Sequence, residues 1–517
     1  MTDAQKTVPP QFGTPFVHRL PPEIMSDIFI NVDCIRDHDV VYQSRFCQKG
    51  SERCSRSAGS HLGSVCVYWR RVTLSTPGLW ASMLVEIGHS VYPECTLERL
   101  MLNIERSRSA PLSVILKIVS YFSEDEYDNM LQALIAPHTT LLSQYSKLLP
   151  YGLLNVIMGQ TERIRHLSLF LLSEQIDAER FALPLFSHFQ NRFPILEHIT
   201  ADLPYGDNSQ SILDLFGTSS RIFSFGISEP MIGSPRQYAF PYSRMTNIYI
   251  KEMGAHGLRT ILHLCPNLRA ADVAFGYGEL EQLSTTTELT LQYLESLSIS
   301  IRNLENIDEL SAIINAANFP ALSSLSIGMP RIKGVKRDAW YMAGVSQFIV
   351  SLLGLITRSQ NRSHSSIEIL QLNCFPLQHD ELIALMEKLS NLLELSISES
   401  DWEGTDPQNG RNQMLTCRAL EELASGRVLP RLKNLRMEVK NDWVGSDTFE
   451  RMIESRPRLD SAYLKIVAET VPNLDLSRLR QLQQDRMRQA LRIVQEQTHD
   501  LSEQIELLGY SKGSFVN

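Results

Sequence analysis

The apolar residues of this chain recur as a triplet with the spacing L-x-x-L-x-L. The clearest copies are Leu294-Glu295-Ser296-Leu297-Ser298-Ile299 and Leu322-Ser323-Ser324-Leu325-Ser326-Ile327. Successive copies lie mostly about 23 to 32 residues apart, which is the length of a strand-plus-helix repeat. Other copies begin at Ile164, Leu196, Ile222, Met245, Leu268, Ile367, Leu392 and Leu432, and a degraded one begins at Leu459.

The segments between triplets carry apolar residues at helical spacing. The runs Ile307 to Ala316 and Asp380 to Leu389 are examples, so we expect one helix per repeat. A single strand and helix cannot bury its apolar face alone, and neighbouring repeats therefore stack. The pattern predicts an α/β solenoid over residues 161–470. Longer steps near residues 330–366 and 400–430 hold insertions that contain Trp340 and Trp402.

Side chains that alternate with the inward leucines should face the concave side of the solenoid, because strand residues alternate between faces. Small polar groups dominate this row, which fits neither an apolar groove nor a phosphate site. Simple exposure to solvent is the alternative to a binding role. The candidate target-binding residues are Asn247, Tyr249, Ser298, Ser326, Glu394 and Arg436.

The remaining segments are shorter. Residues 1–15 are rich in proline and read as a disordered tail. Residues 91–160 show helical spacing, interrupted by a predicted strand from Leu112 to Val119, and are interpreted as a bridging region. Residues 471–517 have apolar positions at helical spacing and predict a helical cap or a partner-binding helix. The arginines between Arg478 and Arg492 are interpreted as a solvated helix face rather than as a nucleic-acid site.

Two apolar segments near the N-terminus predict helices. Pro21 and Pro22 suit the first turn of a helix, and Ile24, Ile28 and Phe29 follow as an apolar stripe. In the second segment, Val65, Trp69 and Val72 share one face of a helix, which Thr76-Pro77-Gly78 ends. Leu79 and Trp80 follow and are predicted to pack back onto these helices.

Together, these pieces resemble the F-box in the form common in fungal F-box proteins. The resemblance spans residues 16–90. It departs from a compact F-box in a long polar insertion at about residues 33–60. The repeats resemble the irregular leucine-rich repeats found behind F-boxes, although the asparagine that normally follows the triplet is missing from every copy.

The resemblance implies a substrate-recognition subunit of an SCF-type (Skp–cullin–F-box) ubiquitin ligase. The F-box would bind a Skp-type adaptor, and through it a cullin–RING ligase, while the repeats bind an unknown protein target. A leucine-rich-repeat scaffold without a ubiquitin-ligase role is the alternative. For Trp69 and Trp80, burial in the module's own core is an equal possibility. The adaptor-binding residues carried over from the resemblance are Leu20, Pro21, Pro22, Ile24, Ile28, Val65, Trp69 and Trp80.

Composition narrows the class of protein. The chain has 517 residues, a net charge of −9 and 43% apolar residues. This charge argues against a nucleic-acid binder and gives no reason to expect a membrane surface as partner. No stretch approaches the roughly 18 apolar residues of a membrane span. Eight sparse cysteines suit reduced thiols, so we expect a soluble cytoplasmic or nuclear protein.

The sequence contains no recognisable catalytic or cofactor motif, and we expect a non-catalytic protein without cofactor or metal. Cys34, Cys47 and Cys54, near His38 and His61, lack the close pairing of zinc sites. His263 and Cys265 lie two residues apart, which places them on different faces of a helix. An enzyme site in the insertions around Trp340 or Trp402 is the remaining alternative.

Overall fold

The computed structural model describes residues 20–31, 58–87, 93–118, 156–157, 159–171, 193–202, 216–217, 219–227, 240–276, 288–329, 339–362, 366–399, 417–440, 446–456, 458–468 and 490–497. The chain forms two compact units. The first comprises residues 1–197 and 219–221, and the second comprises residues 198–218 and 222–517. The predicted tail at residues 1–15 and most of the polar insertion lie outside the described residues.

The first unit begins with a helical module. Its elements are α1 over residues 22–31, α2 (Ala58–Gly63), α3 (Val67–Ser75) and a 3₁₀ turn (Pro77–Trp80). The sulfur of Cys66 accepts a hydrogen bond from the backbone N–H of Trp69 and so caps α3. The core of this N-terminal module contains Met25, Phe29, Val72, Leu79 and Trp80.

A parallel sheet follows the module in the same unit. It comprises β1 (Ser82–Ile87), β2 (Leu112–Ile118) and β3 (Ile164–Leu171), and α4 (Pro93–Ser107) links the first two strands. The strand predicted at Leu112 is confirmed. β1 and β2, which precede the solenoid predicted from residue 161, form a parallel ladder that β3 continues.

The second unit contains strands that mostly alternate with helices. Its strands are β4 (His198–Asp202), β5 (Ser224–Ile227), β6 (Asn247–Met253), β7 (Ala270–Phe275), β8 (Leu289–Thr290), β9 (Ser296–Ile301), β10 (Ala317–Asn318), β11 (Ser324–Gly328), β12 (Ile369–Asn373), β13 (Glu394–Ser398), β14 (Asn434–Lys440), β15 (Ser461–Ala468) and β16 (Ala490–Gln497). Its helices are α5 (Ala255–Leu264), α6 (Ile307–Ala316), α7 (Ala339–Arg362), α8 (His379–Lys388), α9 (Cys417–Ser425) and α10 (Ser446–Ser455).

The strands of this unit are parallel and follow one another across the sheet in chain order, except that β8 and β10 pair separately. Consecutive helices from α5 to α10 pack against each other. The fold is therefore α/β, with a large parallel sheet and helices between its strands. One helix usually connects two neighbouring strands, as the sequence pattern predicts.

The apolar triplet accounts for the core of this sheet. In most copies the first residue precedes the strand, and in all of them the other two lie on the buried face. In one copy, Leu322, Leu325 and Ile327 are all buried, and the copy that begins at Leu392 has the same burial. The N–H of the first residue closes a tight turn, as Leu322 does with the carbonyl of Phe319. The spacing L-x-x-L-x-L is thus a turn followed by two inward positions of a strand.

Backbone hydrogen bonds link neighbouring repeats just ahead of their strands. The carbonyl of Glu295 accepts hydrogen bonds from the N–H groups of Ser323 and Ser324 in the next repeat. The carbonyl of Ser323 accepts in the same way from Glu368 and Ile369. Backbone groups therefore satisfy each other at the edge of the sheet where the strands begin.

Arginine side chains satisfy carbonyls that the helices leave unpaired at their C-termini. Arg163 donates to the carbonyl of Ala110 just beyond α4, and Arg358 donates to the carbonyl of Ile314 in α6. Arg456 is buried and donates to Leu423 in α9 as well as to two carbonyls beyond that helix. Burial lowers the pKa of Arg456. A cation at this position also complements the helix dipole.

Residues 490–497 correct the prediction of a C-terminal helical cap. They form β16, which pairs in parallel with β15 from Ser461 and Ala490 to Ala468 and Gln497. The run Ala490-Leu491-Arg492-Ile493-Val494 contains the β-branched residues Ile493 and Val494, which favour a strand next to an open sheet edge.

The insertion near residues 330–366 is largely helical. It contains α7, whose buried residues Val345, Phe348 and Leu352 contribute to the core, and α7 packs on α6. Among the helices in the described part of the chain, none has both the length and the apolarity required to cross a bilayer.

Candidate functional site

The outer face of α1 exposes two large apolar side chains. Ile24 is 48% and Ile28 is 42% exposed, while Met25 and Phe29 on the opposite side are buried in the module. The predicted stripe of Ile24, Ile28 and Phe29 is therefore divided between two faces, and Phe29 belongs to the core. Residues four apart lie one above the other on a helix, so Ile24 and Ile28 form one apolar surface.

Specific contacts hold α1 against α3, so that its outer face is presented in a fixed orientation. The hydroxyls of Ser26 and Thr76 are 2.8 Å apart, and the hydroxyl of Tyr68 donates to the carbonyl of Leu20. The rings of Phe29 and Trp69 pack with their centroids 4.8 Å apart.

The other predicted adaptor-binding residues differ in their exposure. Pro21, Pro22 and Val65 are exposed, and Val65 lies in the turn ahead of α3, whereas Leu20 is only partly exposed. Val67, which the sequence analysis did not single out, is the most exposed of these apolar residues at 74%. Its position at the start of α3, outside the predicted stripe, explains the omission.

Trp69 and Trp80 have different environments. Trp69 is partly exposed and packs on the module's core. Trp80 is only 2% exposed, its indole N–H donates to the carbonyl of Thr73 at 2.8 Å, and the Arg106 guanidinium lies 4.3 Å from the ring centroid. Trp80 is therefore a core residue, and its assignment as an adaptor contact is wrong because its surface is already covered.

The second candidate surface is the polar face of the sheet in the second unit. On this face, side chains that are in register across neighbouring strands form two adjacent rows. All six predicted target-binding residues lie on these two rows. One row contains Tyr249, Asp272, Ser298, Ser326, Gln371, Ser396, Arg436 and Tyr463, and the other contains Asn247, Ser296, Ser324, Glu394, Asn434 and Ser461.

A concavity of about 940 Å³ lies on this face, across β12 to β15. Side-chain hydrogen bonds cross its floor, because Asn434 donates to Glu394 at 2.8 Å and the Ser461 hydroxyl lies 2.7 Å from the Asn434 amide oxygen. Lys465 pairs with Glu438 at 3.6 Å. These contacts give the concavity a fixed and mostly polar lining.

One cation in the concavity is held by an aromatic ring. The Arg436 guanidinium carbon lies 4.9 Å from the centroid of the Tyr463 ring. Tyr463 and Gln371 also line the concavity, and the sequence analysis did not name them. Tyr463 was missed because its triplet is degraded, with Ala462 in place of the second leucine.

The residues considered for catalysis do not come together. Cys265 is buried, and burial raises the pKa of its thiol to about 12, so it carries a proton at neutral pH. His263 lies on the exposed surface of α5. These two residues therefore do not form a nucleophile–base pair.

Other residues considered for chemistry lie outside the described part of the chain. They are Trp402, the side chain of Trp340, and the candidate metal ligands Cys34, His38, Cys47 and Cys54. His61, on α2, is exposed.

Comparison of the chain with protein-family models gave no match, and comparison with curated proteins gave none either. The functional assignment therefore depends on the residues of this chain and on the two surfaces.

Proposed function

We propose that this chain is the substrate-recognition subunit of an SCF-type ubiquitin ligase, with an F-box as its N-terminal module and irregular leucine-rich repeats as its sheet. The observation that carries the proposal is the outer face of α1. Ile24 and Ile28 are exposed there, while the residues next to them in sequence form the module's core. An F-box uses such a surface to dock on the helices of a Skp-type adaptor.

Burial of this surface would supply a substantial part of the binding free energy. Each aliphatic side chain that becomes fully buried contributes about 1.5–3 kcal/mol. Val67 adds a further exposed apolar group at the start of α3. The surface is held rigidly by the contact between Ser26 and Thr76, so docking costs little ordering of the module.

The sheet would bind the protein target. Its polar face offers a continuous row of hydrogen-bonding groups with a preformed concavity, which suits recognition of a protein target. A target held there would be kept near the ubiquitin-conjugating enzyme, and the rate of transfer would rise through proximity. This chain would supply none of the covalent chemistry.

The direct test is a pull-down of a purified Skp-type adaptor by the full-length chain. The variant Ile24→Asp/Ile28→Asp should lose binding, because it places two charges in the apolar contact. Val350→Asp is the matched control, since Val350 is also an exposed apolar helical residue but lies on α7 in the second unit. Circular dichroism checks that all three proteins are folded.

Loss of binding in the double variant alone supports the proposal. Absence of adaptor binding by the folded, unaltered chain would contradict it. A protein-interaction scaffold without a ubiquitin-ligase role would then be the better description.

A further inference from the structure

We infer that the concavity on the polar face binds an extended polypeptide segment of the partner through an anionic side chain held by Arg436. This inference rests on the proposed function, since it describes the chemistry of the target that the sheet would recognise. The anionic group is a carboxylate or a phosphoryl group, because a guanidinium binds both in the same bidentate manner.

Arg436 is the cation that would hold the anionic group. Its guanidinium lies over the Tyr463 ring and lines the concavity, and among the residues the structure describes it forms no ion pair with a carboxylate. A ring face orients a guanidinium and leaves the N–H groups at its edge available for an anion. Lys465, by contrast, is already paired with Glu438.

The lining of the concavity favours a polypeptide over a nucleic acid. Glu394 and Glu438 also line the concavity. Their carboxylates would repel a nucleic-acid backbone, which carries a negative charge at every nucleotide. Gln371, Asn373 and Asn434 provide amide donors and acceptors of the kind that pair with a peptide backbone. The lining therefore suits one anionic group within an otherwise neutral segment.

The experiment uses the full-length chain and measures fluorescence anisotropy with labelled peptides. The probes are a neutral Gly-Ser peptide with one central glutamate, the same peptide with glutamine, and the same peptide with phosphoserine. A single-stranded oligothymidylate is the fourth probe. The proteins are the unaltered chain, Arg436→Gln, Arg436→Lys and the control Arg418→Gln, which changes an exposed arginine on α9.

The glutamate or the phosphoserine peptide should bind the unaltered chain and Arg418→Gln equally. Arg436→Gln should weaken that binding at least about tenfold, because it removes a charge-assisted contact. Arg436→Lys should bind with intermediate affinity, since it keeps the charge without the planar fork. Whichever of the two peptides binds more tightly identifies the anionic group.

Equal binding of the glutamine peptide, or an unchanged affinity in Arg436→Gln, would overturn the inference. Tighter binding of the oligothymidylate would overturn it in favour of nucleic acid, and binding of no probe would also count against it. Adaptor pull-down on the same preparations separates the two proposals, because Arg436→Gln should still capture the adaptor. Peptide binding without adaptor binding would contradict the ligase function but would still support the concavity as a peptide-binding site.

Discussion

The indole ring of Trp80 lies directly against Gly59, so that a Cβ atom at residue 59 would come within 2.7 Å of the Trp80 Cε2 atom. This close approach packs α2 onto the 3₁₀ turn and closes the core of the N-terminal module. A glycine is therefore required at this position for steric reasons.

Gly59→Ala should destabilise the module by about 1–3 kcal/mol, the usual cost of overpacking a core. Gly78→Ala is the matched control, because a Cβ there meets only Ile30 at 4.0 Å. Hydrogen exchange of the peptides that contain α1 and α3 measures the effect locally. Equal protection in the two variants would show that the module does not depend on this contact.

Arg456 tests the role of arginine at helix C-termini. Arg456→Gln leaves buried carbonyls of Leu423, Val428 and Leu429 without their donor, and each such loss costs about 1–3 kcal/mol. We expect a destabilisation of about 3 kcal/mol in total, since the losses are only partly additive.

Urea unfolding, monitored by hydrogen exchange in α9 and α10, measures this change. Arg451→Gln is the control from α10, the helix just ahead of Arg456, because Arg451 is exposed and its distance to Glu421 is 4.0 Å. Such a surface pair contributes about 0–1 kcal/mol. A similar midpoint for the two variants would contradict a structural role for Arg456.

Substitutions at two adjacent residues of β11 test which face of the sheet is buried and which is the polar face. Leu325 is fully buried, and Leu325→Ala should cost about 2–5 kcal/mol through the cavity it creates. Ser326 lies on the polar face, and Ser326→Ala should change stability by less than about 0.5 kcal/mol. Thermal unfolding of the two variants measures both changes, and the reverse order would mean that the register of the sheet is shifted by one residue.

The sheet could be predicted from the sequence because its repeat encodes geometry locally. A turn residue and two inward strand residues recur at fixed spacing, so Leu294, Leu297 and Ile299 were predicted from the chain alone and are buried. The polar face followed from the same alternation. The helix α7 was not predicted, and its region was interpreted only as an insertion. Its packing on α6 is a contact between segments that the repeat pattern does not show.

The missed features depend on contacts between distant residues. Residues 490–497 have a helical apolar spacing over a long window, but the open edge of β15 stabilises them as a strand. The division of Ile28 and Phe29 between two faces depends on how α1 packs on α3. Pairing of Arg436 with Tyr463 is a cross-strand contact between residues 27 positions apart, which no local pattern reveals.

The most direct measurement of the central claim is site-specific photocrosslinking to a purified Skp-type adaptor. A photoreactive phenylalanine analogue replaces Ile28 in the full-length chain, and a second protein carries it at Val350 as the control. The account predicts a crosslink to the adaptor from residue 28 and none from residue 350. Absence of a crosslink from residue 28, with both proteins folded, would contradict the assignment of this surface as the adaptor-binding face.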